Sequence, residues 1–298
     1  MSIIGCVPNI SEGRRADVIR RLSSETSAVR GVRLLDVTSD REQNRSVFTF
    51  IGNTASLGRA VYRLMKIAIE TIDITRHSGK HPRMGIVDVI PFVPLRNVSM
   101  ELCVRLARRV GKEIGESFGV PVYLYGQAAT APHRVSVNDV REGEFEGFAR
   151  KIKLPKWKPD FGPERVHATA GVVAVGARPP LIAVNINLDT PDLPLARKIC
   201  DGILRSCGGE YLKALVVGRG TGGSAKIAVS VLDFKRLPIH RVVEAARRLA
   251  RRQGAAIEGV ELVGLVTAES LFGSLEHYLQ LVDFNPMQVL EFHLSRRR

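Results

Sequence analysis

The feature that most constrains this chain is an order of hydrophobic patterns that it runs through twice. Short β-branched, apolar runs at residues 3–7, 32–37, 46–51 and 86–95 have the length and composition of strands. Between the first two lies an amphipathic segment, 16–29, with Val18, Ile19 and Leu22 on one face. Between the last two lies another, 57–72, with Leu57, Val61, Leu64 and Ala68 at near-helical spacing. The succession is β-α-β-β-α-β, the split βαβ or ferredoxin-like unit. The second half repeats it as strand 181–188, helix 193–205, strands 212–217 and 227–232, helix 238–253 and strand 260–266. Pro238 suits the first turn of its helix, where a missing N–H is no loss. The expected fold class is α/β (α+β), with two ferredoxin-like (βαββαβ) subdomains. The first is enlarged by a helix over 99–118, a strand over 121–125 and a helix around 135–151.

The 298 residues suffice for two units that each bury a core. Residues 154–166, LPKWKPDFGPERV, are rich in Pro, Gly and charge and lack periodicity, so they read as a connection. The subdomain boundary follows, giving 1–180 and 181–298. That segment also holds the chain's only tryptophan, and it would cross from one unit to the other where a ligand groove would form. No apolar stretch approaches a membrane span, and the N-terminus lacks the basic region of a signal peptide. Cys6, Cys103, Cys200 and Cys207 show no CxxC or zinc spacing and read as small core residues in a reducing, cytoplasmic setting. A formal charge of +14 favours an anionic partner without choosing among nucleic acid, membrane and small polyanion.

The chemistry concentrates in RHSGKHPRMG, residues 76–85, a loop between a helix and a strand. His77 and His81 are spaced i, i+4, but Gly79 and Pro82 oppose a helix and Lys80 and Arg83 would repel a dication, so no metal is expected. The same cations suit a carboxylate ligand, and a histidine among them keeps a neutral fraction able to take a proton. From the residues alone, a solvated turn and a loop that binds carboxylate and moves a proton both stay open. A second polar run, 36–45, joins two expected strands and supplies Asp40, Asn44 and Arg45; it is longer than the common hairpin loops. The Gly-rich 217–224, VGRGTGGS, lacks a GK[ST] ending and a following helix, so it reads as a flexible connection between strands. The arginines of 240–254 fall on one helical face opposite Val242, Val243, Ala246, Leu249 and Ala250, as a solvated face does.

Several separated stretches resemble one family. CVPNISEG (6–13), NRSVFTFIG (44–52), HSGKHPRMG (77–85), PVYLYGQAA (121–129), DFGP (160–163), GAR (176–178) with LIAVNINL after it, and LVGLV (262–266) are similar to the formiminotransferase domain of glutamate formimidoyltransferases, in the family's order and approximate spacing. The resemblance implies a one-carbon transferase that moves the formimino group of N-formimino-L-glutamate to N5 of tetrahydrofolate, in histidine degradation. It implies two subdomains flanking a folate groove, a homodimer, tetrahydrofolate as co-substrate and no metal. It places the catalytic acid/base on His81. The family's folate-binding segment falls on Gly162, Pro163, Glu164, Arg165, Val166, His167, Ala168, Thr169, Ala170 and Gly171, so the apparent linker becomes a binding loop. Arg45, Arg83 and Arg178 are the candidates for substrate carboxylates, with Asp40 as partner to the histidine or pterin and Asn44 beside it; His77 takes a supporting role.

The chain departs from the family pattern at two places. Gln127 stands where a glutamate is common, and Lys226, Ala228 and Ser230 stand where the family's AQVSxN has Gln, Ser and Asn. These changes favour, as the alternative, a relative that moves a formyl group between 5-formyltetrahydrofolate and glutamate. A basic nucleic-acid-binding protein is a remote alternative, because the strands lack the aromatic and basic RNP pattern. Residues of a cyclodeaminase domain, which the bifunctional family members carry, are not expected in a chain ending at Arg298.

Overall fold

Residues 2–219 and 223–294 are described by the computed structural model, which divides the chain into Met1–Pro179 and Pro180–Arg298. The first unit runs β1 (Ile3–Cys6), β2 (Asn9–Ile10), α1 (Ala16–Ser27), β3 (Val32–Asp40), β4 (Arg45–Gly52), α2 (Thr54–Thr71) and β5 (Val87–Arg96). It continues with α3 (Met100–Phe118), β6 (Val122–Gly126), α4 (Val137–Arg141), α5 (Glu144–Lys151) and β7 (Val173–Ala177). β3 pairs β4, β4 pairs β1 and β1 pairs β5, all antiparallel, which is compatible with the expected βαββαβ unit. β5 then pairs β7, and β7 pairs β6, both parallel. The sheet therefore changes from antiparallel to parallel at β5.

Side-chain alternation explains why these last strands read as unbroken apolar runs. Val122, Leu124, Val173 and Val175 join a core with Leu57 and Leu64 of α2 and Leu106 and Val110 of α3. Val89, Tyr123, Tyr125 and Ala174 face the other way, into a second core with Val140, Phe148 and Trp157. A strand covered on both faces has no polar side to show. At the start of α2, Asn53 Oδ1 accepts from Ser56 N at 2.9 Å and Ser56 Oγ accepts from Asn53 N at 3.1 Å, a capping box that fixes the helix to the end of β4.

The first unit corrects several expectations. β7 was not foreseen as a strand, because its five short residues, VAVGA, have no alternation of their own. The helix expected around 135–151 is broken into α4 and α5 by Gly143, whose φ of +85° belongs to no helix. Residues 154–166 do not connect the units: Trp157 is 5% exposed and Tyr123 Oη donates to its carbonyl at 2.7 Å. Asp160, in the same stretch, pairs with Arg134 at 2.7 Å, both side chains being buried. The run 36–45 is not a long loop, since Thr38, Ser39 and Asp40 pair with Val47, Ser46 and Arg45. Polar residues on an exposed ladder mimic a loop in composition, and only residues 41–44 turn.

The second unit runs β8 (Ile182–Leu188), α6 (Leu193–Cys207), β9 (Leu212–Arg219), β10 (Ala225–Val231), α7 (Ile239–Arg252), β11 (Ile257–Leu262), α8 (Ala268–Leu279) and α9 (Leu290–Leu294). Its strand order is β11-β8-β10-β9, antiparallel, again compatible with a βαββαβ unit. Val184, Ile186, Ile227 and Val229 pack against Ile199 and Ile203 of α6 and Val242 and Ala246 of α7. β11 begins before the expected 260–266, and α8 and α9 were not anticipated. The Gly-rich 217–224 lies partly outside the described residues. Among the described residues no helix is long and apolar enough to cross a membrane. Cys6, Cys103 and Cys200 are buried and Cys207 half-buried, with no disulfide among them.

Candidate active site

Three loops meet before β5. Asn44, Arg45, His77, His81, Arg83 and Asp88 line one small cleft, together with Asn9, Ile10, Ser11 and Gln43. Asn44 ties the loops to each other. Its Oδ1 accepts from Gly13 N at 2.9 Å, its Nδ2 donates to Ser78 O at 3.0 Å, and its carbonyl accepts from His77 Nε2 at 2.8 Å. Its φ of +50° is a left-handed turn that asparagine tolerates. Gly79 closes the junction: a Cβ there would stand 2.2 Å from Gln43 O. Ser11 Oγ donates to Gly85 O at 2.7 Å, fastening the CVPNISEG stretch to the far end of the histidine loop.

His81 is half-buried, and its imidazole is pushed down to about 2, first by burial and then by the charges of Arg45 and Arg141. The ring is therefore neutral at physiological pH, and its free nitrogen becomes a useful base only when the charges around it are offset. Arg45 is desolvated enough to bring its guanidinium down to about 10, with Asp88 the leading opposing charge. Its Nε is buried without a partner, and its guanidinium makes no hydrogen bond or ion pair among the described residues. An unpaired, desolvated guanidinium is a ready seat for a carboxylate.

The other candidates fare differently. Arg83 is already occupied: Nη1 and Nη2 hold Glu146 at 2.7 and 2.5 Å, Nη1 reaches Glu144 at 3.0 Å, and Nε donates to His77 Nδ1 at 3.2 Å. The carboxylates expected of a substrate are supplied there by the chain, and Arg83 instead holds His77, whose Nε2–H points to Asn44. Asp40 is exposed, and its Oδ1 accepts from Glu42 N at 2.8 Å and Gln43 N at 2.9 Å, so it caps the β3–β4 turn. Arg178 is not brought into the cleft. The β5–β7 register sets Ala177 beside Phe92, so Arg178 lies at about Val93. That is five residues, or about 16 Å of strand, beyond Asp88. Arg178 donates to Pro179 O at 3.1 Å, while its charge and hydrogen bond act on the buried Tyr125 phenol.

Residues 162–171 border the cleft without lining it. Ala170 O accepts from Ile86 N at 3.0 Å, and Val172 N, just past the segment, donates to Met84 O at 3.0 Å, so its end backs the chain that leaves His81. His167 Nδ1 accepts from Ala170 N at 3.0 Å and closes the turn, while Glu164, Arg165, Ala168 and Thr169 are exposed. Among the described residues no three His, Cys, Asp or Glu side chains gather as a metal ligand set.

Two residues of the site escaped sequence reasoning. Asp88 is a carboxylate inside an apolar strand, and Arg141 reaches it from α4 at 2.6 Å, with side-chain exposures of 3% and 11%. The signal was the lone acid in IVDVIPF; its partner, 53 positions away, left none.

The departures from the family pattern fall elsewhere. Lys226 on β10 donates to Glu261 at 2.9 Å, and Asn187 of β8 donates to the same carboxylate at 2.9 Å. In β10 the residues alternate in burial, so Lys226, Ala228 and Ser230 share the less buried face of the second unit's sheet.

Comparison with known proteins covers nearly the whole chain. The model of the formiminotransferase domain, N-terminal subdomain, matches residues 3–178, and that of the formiminotransferase domain matches residues 183–289. A glutamate formimidoyltransferase of Streptococcus pyogenes serotype M1 is 42% identical over 294 residues, 98% of this chain and 98% of that protein. A glutamate formimidoyltransferase of Thermoplasma acidophilum is 41% identical over 299 residues, 99% of this chain and 98% of that protein. The formimidoyltransferase-cyclodeaminase of Gallus gallus is 38% identical over 285 residues, which make up 93% of this chain but 52% of the longer relative.

Proposed function

This chain belongs to the formiminotransferase family, and from that premise we infer that it works as a glutamate formimidoyltransferase, a one-carbon transferase with tetrahydrofolate as co-substrate. The observation that carries the reading is identity above 40% to two such enzymes along almost the entire chain. The formimino group passes from N-formimino-L-glutamate to N5 of tetrahydrofolate.

The side chains of the cleft support this reading. N5 attacks the amidine carbon, and the new N–C bond makes N5 acidic. His81, neutral before the donor binds and made more basic once a donor carboxylate offsets the Arg45 charge, takes that proton. The tetrahedral intermediate then breaks its bond to the glutamate nitrogen, and His81 returns the proton to the departing amine. Arg45, unpartnered among the described residues, holds a carboxylate of the donor. Arg83, bound to Glu144 and Glu146, serves through His77 and Asn44 to set the loop. The folate lies along residues 162–171, whose end supports the backbone just after His81. The enzyme acts as a cytoplasmic homodimer in histidine degradation.

The test is incubation of the purified chain with tetrahydrofolate and either N-formimino- or N-formyl-L-glutamate. Formation of 5-formiminotetrahydrofolate from the first donor is expected. His81→Ala should lower kcat by a factor of about 10² to 10⁴ while folate binding survives. Near-normal turnover in that variant removes His81 from the role, and product from formylglutamate alone replaces the formimino reading by the formyl one.

A further inference from the structure

Among the described residues, the carboxylates around the cleft are engaged. Glu12 accepts from Arg14 N and Arg15 N, Asp40 caps its turn, and Glu144 and Glu146 hold Arg83. Asp88 takes three donors: Met84 N on Oδ1 at 3.0 Å, and Arg141 Nε and Nη2 on Oδ2 at 3.1 and 2.6 Å. Arg141 is itself held by Asn138 Oδ1 at 3.3 Å. Among the charges that act on Arg45, that of Asp88 leads, yet no hydrogen bond joins the two.

We propose that Arg141 is a positioning residue of the transfer site, which, by occupying Asp88, keeps the Arg45 guanidinium free for the carboxylate of the formimino donor. The proposal rests on the transfer reading above and names how that site stays selective for an anionic donor. The physical reason is that a buried carboxylate does not stay unpaired. With Arg141 present, the Asp88 carboxylate is satisfied. Without it, Arg45, which lines the same cleft as Asp88, answers that charge, and the seat is filled from within the chain. Asp88 also grips the backbone of Met84, three residues past His81, so one carboxylate sets both the acid/base and the cation beside it.

The experiment measures binding of N-formimino-L-glutamate to the full chain by calorimetry, which needs no turnover and is therefore read apart from the transfer reading. Arg141→Met should weaken donor binding about 10- to 100-fold, the loss of a charge-assisted pair at Arg45. Asp88→Asn added to Arg141→Met removes the competing charge, and donor affinity should return to within about threefold of wild type. A purely structural role predicts the opposite, a double variant at least as impaired as the single one. Unchanged donor affinity in Arg141→Met, or no recovery in the double variant, overturns the proposal. Should Arg141→Met not fold, the double variant is compared directly with wild type: affinity near wild type supports the proposal, and weak binding or failure to fold overturns it.

Discussion

His81 owes its protonation state to its neighbours. Burial and the charges of Arg45 and Arg141 hold it neutral down to about pH 2, against 6.5 for a free imidazole. The unfolded chain therefore binds a proton at this position below about 6.5 that the folded chain refuses, and stability falls as pH drops from there toward 2. His81→Gln removes the group, so the denaturant midpoint should fall less between pH 6.5 and 4 than in wild type. An identical acid slope in urea titrations at several pH values would mean that His81 is protonated in the folded protein. Asn44 is the second decisive residue, since two of its side-chain bonds hold Gly13 and Ser78. Asn44→Ala loses both bonds and keeps an unfavourable left-handed φ, so a loss on the order of 2 kcal/mol is expected in urea unfolding.

Among the elements, the entry to β5 carries the most constraint. A Cβ on Gly85 would stand 2.1 Å from Val172 O and 2.7 Å from Ala170 O, so no side chain fits between this strand and the chain entering β7. Gly85→Ala should cost about 1–3 kcal/mol, seen as a lower Tm, and kcat should fall with it because His81 lies four residues upstream. The sequence showed the elements whose signal is local: the β-α-β-β-α-β order of both halves follows from periods of 2 and 3.6 residues, and the histidine loop from its composition. It hid what depends on distant partners. β7 is a strand because β5 and β6 flank it, and the buried part of 154–166 is visible only through Tyr123 and Arg134. The site divided the same way. His81 and Arg45 were legible as chemistry, whereas Arg83 changed meaning once Glu144 and Glu146 were found on it, and Arg141 had no local mark at all.

At the scale of the whole molecule, the charge of +14 matters for capture rather than fold. Arg241, Arg248, Arg251 and Arg252 of α7 are exposed, in keeping with the solvated face expected there. Both substrates are anions in the proposed reaction. Their kcat/KM should therefore fall severalfold as salt rises from about 0.05 to 0.5 M, with kcat nearly constant; steady-state kinetics at several ionic strengths checks this. A salt-independent kcat/KM would mean that the long-range field plays no part in capture. Each unit has its own core, and the chain's single tryptophan belongs to the first. Trp157 is enclosed by Tyr123, Phe148 and His133, all of the first unit. Its emission is thus a local probe: a fluorescence melt watches the first half only, and the gap between it and a circular-dichroism melt measures how independently the second half comes apart.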